Sequence, residues 1–332
     1  MERSDLLTRL NATTDNDGIA VDLGTPPQDV PADATLLCDH LRVLRVRGEE
    51  SEKFLQGQLT ADVREVSAGI SRLAMHLNLK GRGIASMRLL PADGGHDILV
   101  PAAQAETLQQ SLARYIVFSK AEIEPDPERT VLSLEGESAL EVLGGLDLPV
   151  PGAADACAIA GDITIVRAGP APRWLLVLPV ARADELWPSL SEGRQTGAAD
   201  HARLAEIAAG EGHVLPDTRE RFLPQELNYD LIQGVSFEKG CYTGQEVVAR
   251  MHHKGTVKQR LQRLSWPADA APAPGTPLRS ESDKAVGEIV QALVCDNRVE
   301  ALAVLRLDHE GDCLVEGEPL EVSREEMAYQ LP

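Results

Sequence analysis

Aromatic side chains are scarce in this 332-residue sequence, with three Trp, four Tyr and four Phe. Cysteine is scarce too and badly spaced for a scaffold. Cys38, Cys157, Cys241, Cys295 and Cys313 form no CxxC pair and no Cys/His pair at zinc-finger spacing. Such an odd, dispersed set argues against a disulfide framework and a structural zinc site. No run approaches the ~18 consecutive apolar residues of a membrane span. The opening MERSDLLTRL mixes both charge signs and lacks a secretory apolar stretch, so a cytoplasmic protein without a membrane partner is expected. Basic charge is in deficit, with 32 Lys and Arg against 52 Asp and Glu and a formal net charge of -20. That surface repels nucleic-acid backbones, and no direct nucleic-acid partner is expected. Also absent are a GxxxxGK[ST] phosphate loop, a GxSxG elbow, an HExxH pair and a GxGxxG following a strand. Nucleotide-driven and zinc-hydrolase chemistry lose most of their support.

What is present describes a folded chain of two or three domains, 43% hydrophobic. Residues 1–35, rich in Asp, Pro, Gly and Thr after a short helical pattern, read as a loosely held lead-in. LRVLRVR at 41–47 reads as the first strand, and GEESEKFLQGQLTADV as a helix with a turn near Thr60. Three runs, 71–79, 83–90 and ILVP, are separated by Gly-rich turns and predict an antiparallel meander. A helix is expected over 102–119, a loop or seam over 144–158, a hairpin around GPAP, and helices near 181–191 and 200–209. From about 257, short strands with turns at PAPG, DNR, HEGD and EGEP predict a small β-barrel. Helices alternate with antiparallel strands, so the class is α+β. The expected division is a lead-in at 1–35, two mixed α+β subdomains at 36–145 and 146–255, and a β-barrel at 256–332.

The site candidates cluster in SFEKGCYTGQEVVARMHHKGTVKQRLQR, residues 236–263. Four of the few aromatics, Phe222, Tyr229, Phe237 and Tyr242, fall within 21 residues leading into and opening it. Charge inverts there, since Arg250, Lys254, Lys258, Arg260 and Arg263 fall in a stretch without Asp or Glu; something negative is expected to dock nearby. Thr243 and Glu246 are spaced as a capping box, which predicts a helix from Gly244 with Cys241 just before its N-terminus. Gly240 and Gly244 permit a close-approaching backbone, and Lys239 with the helix dipole would favour a Cys241 thiolate. The alternative is a small apolar cysteine buried at a strand-to-helix junction. Adjacent His252 and His253 read as a basic helix end rather than metal ligands. In PDTRERFLPQELNYD, Gln225 and Glu226 would suit hydrogen bonding to a flat heterocycle, against the alternative of a solvated loop. The KGRG turn at 80–83 reads either as an anion contact or as a solvated hairpin tip.

KGCYTGQE at 239–246 resembles the YgfZ family of folate-binding proteins, relatives of the glycine-cleavage aminomethyltransferase. FLQGQLTADV (54–63), RYIVFSKAEI (114–123), RLAEIAAGEG (203–212) and FLPQELNYDLIQGVSFEKG (222–240) extend the likeness in the same order. The resemblance implies a GcvT-like ring of two mixed α+β subdomains and a C-terminal barrel, with tetrahydrofolate held centrally. It further implies support for assembly or repair of iron–sulfur enzymes, including tRNA-modifying ones, through the motif cysteine. On that basis Cys241 and Lys239 are the candidate catalytic pair. Gln225, Glu226, Tyr229, Tyr242, Gln245, Glu246 and Arg250 are candidate folate or pocket residues, the partners are folate and iron–sulfur clients, and a monomer is expected. Near the positions where the prototype carries tryptophan this sequence has His40 and Ala202, so ring stacking must come from elsewhere. Three readings stand beside one another: a folate-binding accessory factor, a folate-dependent one-carbon transferase, and a non-enzymatic iron–sulfur scaffold.

Overall fold

The computed structural model describes residues 1–309, 311–315, 318–320 and 322–332. The chain forms two compact units. The first comprises Met1–Leu55, Val63–Arg72 and Met87–Ala205, and the second Gln56–Asp62, Leu73–Ser86 and Glu206–Pro332.

In the first unit, a six-stranded sheet runs in the order Cys157–Ala160, Ile163–Arg167, Arg173–Pro179, Arg129–Glu135, Ala34–Leu37, Gln195–Gly197. Only its last pairing is parallel. The meander strands Gly83–Ala92 (from Met87 onward) and Gly95–Pro101 join Leu41–Arg47 and Glu122–Pro125 in a second, antiparallel array. Alternation lets each strand turn one face inward: Val43, Leu90 and Leu99 of one sheet pack with Leu36, Val131 and Val177 of the other. The far face of the six-stranded sheet is covered by helices Arg3–Arg9, Ala139–Gly145 and Val180–Ser191.

The lead-in differs from its expected looseness. Leu6 and Leu7 are buried in this core, Arg3 and Arg9 pair with Asp39 and Asp184, and Ala34–Leu37 is an interior strand. A short apolar face with flanking arginines is enough to dock it. The expected helix over 102–119 ends at Ile116, and the one expected after Gly48 is two helices, Ser51–Gln58 and Val63–Ser67.

In the second unit, a seven-stranded antiparallel sheet curls as a half-barrel. Its long strands are Gln259–Pro267, Ala285–Cys295 and Arg298–Arg306. Every second residue faces inward, Leu264 and Trp266 meeting Val299, Ala301, Ala303 and Leu305. The expected turns at HEGD and EGEP, and the ends of the CLVEG and LEVS runs, include residues outside the described set. The same unit holds strand Arg72–Leu77 from Leu73 on, the Asn78–Arg82 turn and helix Gln245–Lys254. Among the described residues no helix is long and apolar enough to cross a membrane.

Candidate functional site

The helix after the motif runs Gln245–Lys254 and begins one residue later than its spacing predicts. Gly244 is the N-cap, left-handed at φ 82°, and no side chain caps the helix. The Thr243–Glu246 capping box is therefore absent. Two contacts displace it. The Thr243 backbone N–H donates to Gly57 O at 3.1 Å, and Gly244 is pressed so close to the 78–82 turn that a Cβ would lie 2.6 Å from Asn78 O and 3.2 Å from Gly81 Cα. Gly81, at φ 74°, answers from the other side, where a Cβ would lie 3.0 Å from Val247 Cβ. The turn itself is rigid, since Asn78 Oδ1 accepts from Lys80 N at 2.9 Å and Arg82 N at 3.0 Å. The KGRG tip is thus a wall of the motif loop, with Leu79 held 84% exposed at its crest.

Cys241 is exposed, three residues outside the helix cap. The dipole acts chiefly within the first turn, so the expected help from the helix N-terminus is diluted by that distance. Its neighbours are the reverse of mobile. Lys239 is 5% exposed, donates from Nζ to Leu59 O at 2.8 Å and Ala61 O at 2.6 Å, and lies 5.2 Å from the Tyr242 ring centre. Tyr242 is buried, which pushes its phenol well above the ordinary value. Thr60 completes the seam. Its Oγ1 donates to Gly234 O at 2.6 Å, its carbonyl accepts from Ser236 N at 2.9 Å, and its Oγ1 accepts from Met75 N at 2.8 Å. Phe237 stacks on His252, ring centres 3.7 Å apart, which ties the loop to the helix's last turn. Gly240 is exposed, and a Cβ there would meet nothing within 4 Å.

The polar loop before the motif builds a second feature. Gly83 N donates to Phe222 O at 2.9 Å and Glu220 N to Gly83 O at 2.8 Å, which anchors the loop on the strand. Gln225, 1% exposed, donates from Nε2 to Val248 O at 2.8 Å, while its buried Oε1 has no donor among the described residues. Glu226 accepts from Leu223 N and from Gln259 Nε2, each at 2.8 Å. Both residues line a cleft of about 540 Å³ with Phe222, Met251, Lys258 and Glu288, within the ~300–1,000 Å³ typical of small-molecule sites. Burial raises the Glu288 carboxyl despite the Arg221 guanidinium beside it.

The candidate residues therefore separate. Gln225 and Glu226 line the cleft; Cys241, Tyr242, Gln245, Glu246 and Arg250 are not among its lining residues. Helix Gln245–Lys254 joins the two features, following the thiol loop at its start and bordering the cleft through Met251, about 9 Å further along its axis. Tyr229 is fully buried, donates its hydroxyl to Gly212 O at 3.1 Å, and fills the space that Gly234 leaves open. The basic run also divides: Arg260 forms a bidentate pair with Asp230 and Arg263 pairs with Glu300. Lys258 belongs to the basic run the sequence singles out, whereas Met251 and Glu288 carry no local sequence signal, because their membership depends on pairings across the fold. Among the described residues no group of three or more His, Cys, Asp or Glu is arranged to hold a metal.

No family model matches the chain. It is 31% identical over 282 residues to the tRNA-modifying protein YgfZ of Yersinia enterocolitica, covering 83% of this chain and 86% of that protein. It is 31% identical over 299 residues to the tRNA-modifying protein YgfZ of Escherichia fergusonii, covering 87% and 92%. Among solved structures, glycine cleavage system aminomethyltransferase T from Bartonella henselae matches with a TM-score of 0.76 at 18% identity, covering 97% of this chain and 95% of that one. The last likeness establishes an aminomethyltransferase-type fold.

Proposed function

This chain belongs to the YgfZ family, and we propose that it is a tetrahydrofolate-binding accessory protein that assembles or repairs iron–sulfur enzymes, tRNA-modifying ones among them, through Cys241. The observation that carries the reading is the contrast at the motif: an exposed thiol on a loop whose flanking Lys239 and Tyr242 are buried. A thiol needed only for packing is found inside; one held out on a braced loop suits contact with another molecule. A thiolate there can ligate an iron of a client's cluster, for which one cysteine suffices if the client supplies the rest.

The donor set of the cleft fits a folate. The orphan Gln225 Oε1 and the Glu226 carboxylate are acceptors for the N–H edge of a pterin, and Phe222 and Met251 supply apolar contact. Lys258, exposed at the same cleft, suits a carboxylate tail. Bound tetrahydrofolate supplies a reduced pterin able to carry a one-carbon unit. The chain's own part is to orient that ring with Gln225 and Glu226.

Calorimetric titration with tetrahydrofolate tests this. Saturable binding is expected, weakened about tenfold or more by Gln225→Leu through loss of a buried hydrogen-bonding group. Absence of binding by the folded wild-type protein would remove the folate reading.

A further inference from the structure

The two adjacent acceptor residues of the cleft, Gln225 and Glu226, are braced from one strand. Gln259 and Arg260 are neighbours at the start of Gln259–Pro267. Gln259 Nε2 donates to the Glu226 carboxylate, and Arg260 Nη1 donates to the Gln225 carbonyl at 3.0 Å. Arg260 is 5% exposed and is oriented by the Asp230 carboxylate and by Asn228 Oδ1, the latter at 3.3 Å. Asn228 is in turn fully buried in the left-handed region, at φ 62°. Its amide nitrogen donates to Leu261 O at 2.9 Å and to the Tyr329 hydroxyl at 3.1 Å.

Tyr329 belongs to the segment that follows strand Ser323–Glu325. That segment is thin, with Glu326, Ala328, Gln330 and Pro332 exposed. Its seat is Gly210, left-handed at φ 70°, where a Cβ would lie 2.8 Å from both Met327 Cε and Tyr329 Cε1. The Tyr329 hydroxyl donates to Gly210 O at 2.9 Å while accepting from Asn228. Burial pushes the phenol up, so it keeps its proton at neutral pH. Packing accounts for the ring and for the Met327 thioether. It does not account for the hydroxyl, whose bonds lead through Asn228 and Arg260 to the backbone of a residue whose side chain lines the cleft. A largely exposed segment with so few anchors opens more readily than the sheet it follows.

We infer that Tyr329 is a positioning residue for the folate cleft and that the 326–332 segment is the latch of that cleft. Docking of the hydroxyl fixes Asn228 and Arg260, and through them the Gln225 carbonyl; a bound folate holds the latch shut in return. This rests on the folate reading above and adds its regulation. The return effect follows from linkage, because whatever factor docking adds to ligand affinity, the ligand adds to docking.

The test uses the full chain and reads both directions of that coupling. By calorimetry, tetrahydrofolate affinity is expected to fall about fivefold in Tyr329→Phe, which keeps the ring on Gly210 and removes only the hydroxyl. Gln330→Ala, at an exposed position of the same segment, should leave it unchanged. Chymotrypsin, which cuts after either aromatic, reports opening of the latch through the mass lost with residues 330–332. Saturating tetrahydrofolate should slow that cut about fivefold in the wild type and less than about twofold in Tyr329→Phe. A tyrosine with a merely structural role would change stability without tying the cut to the ligand. Equal affinities of the wild type and Tyr329→Phe, or a wild-type cut indifferent to bound tetrahydrofolate, would overturn the inference. If the wild type binds no tetrahydrofolate, the folate reading itself has failed and this inference fails with it, an outcome that the wild-type titration alone identifies.

Discussion

Gly240 and Gly244 bracket the motif cysteine and answer to different constraints. Gly244 combines φ 82° with a contact that leaves no room for a methyl group, while the space around Gly240 is open. Gly244→Ala should therefore lower unfolding free energy by about 1–3 kcal/mol, whereas Gly240→Ala should leave it within about 0.5 kcal/mol. Urea denaturation measures both; equal losses would mean that the loop is not braced as described. The aromatics near the motif carry the matching lesson. Tyr229 and Tyr242 look alike in sequence, as candidate ring-stacking groups, yet both are buried and one fills the space beside Gly234. Nothing in the local pattern separates an aromatic that faces a ligand from one that fills the core.

At the scale of elements, the motif loop depends on a lysine whose charge faces inward. Lys239 satisfies two carbonyls of the 57–61 segment, so Lys239→Met should expose unsatisfied acceptors and cost about 1–3 kcal/mol. Hydrogen exchange should show faster exchange of the Thr243 and Ser236 amides, which pair with that segment. Unchanged protection would contradict the clamp. Much at this scale was legible in the sequence. The strands from 257 onward follow period-two alternation because one sheet face is buried, and the helix after the motif was one residue from its true start. The turn at 78–82 was not legible as part of the site. Its contact with Gly244 joins residues far apart in sequence, and a Gly-rich hairpin tip looks the same whether it faces water or a helix. The Gln225 cleft was half legible: its polar residues stood out, while Glu288 and Met251 entered through tertiary pairing alone.

Over the whole molecule, buried histidines set a pH limit. Burial lowers the pKa of His76, His96 and His201 below the ordinary 6.5, so the unfolded chain takes up protons before the folded one does. Their contribution to stability is complete above about pH 6.5 and is lost as pH falls through the depressed folded values. The urea midpoint should drop between about pH 7 and pH 5, and His201→Gln should flatten that slope. His201 is the informative choice, because it is fully buried and neither ring nitrogen has a hydrogen-bond partner among the described residues. A midpoint that rises on acidification would contradict the assignment. The aminomethyltransferase-type fold supplies the frame, and the exposed sulfur on its braced loop supplies the function proposed for it. The most direct measurement is the content of iron–sulfur-dependent modified nucleosides in tRNA from cells whose own family member is deleted and which express either this chain or its Cys241→Ala form at equal level and equal thermal stability. Restoration by the first and failure by the second is the predicted result; full restoration by Cys241→Ala would contradict the account.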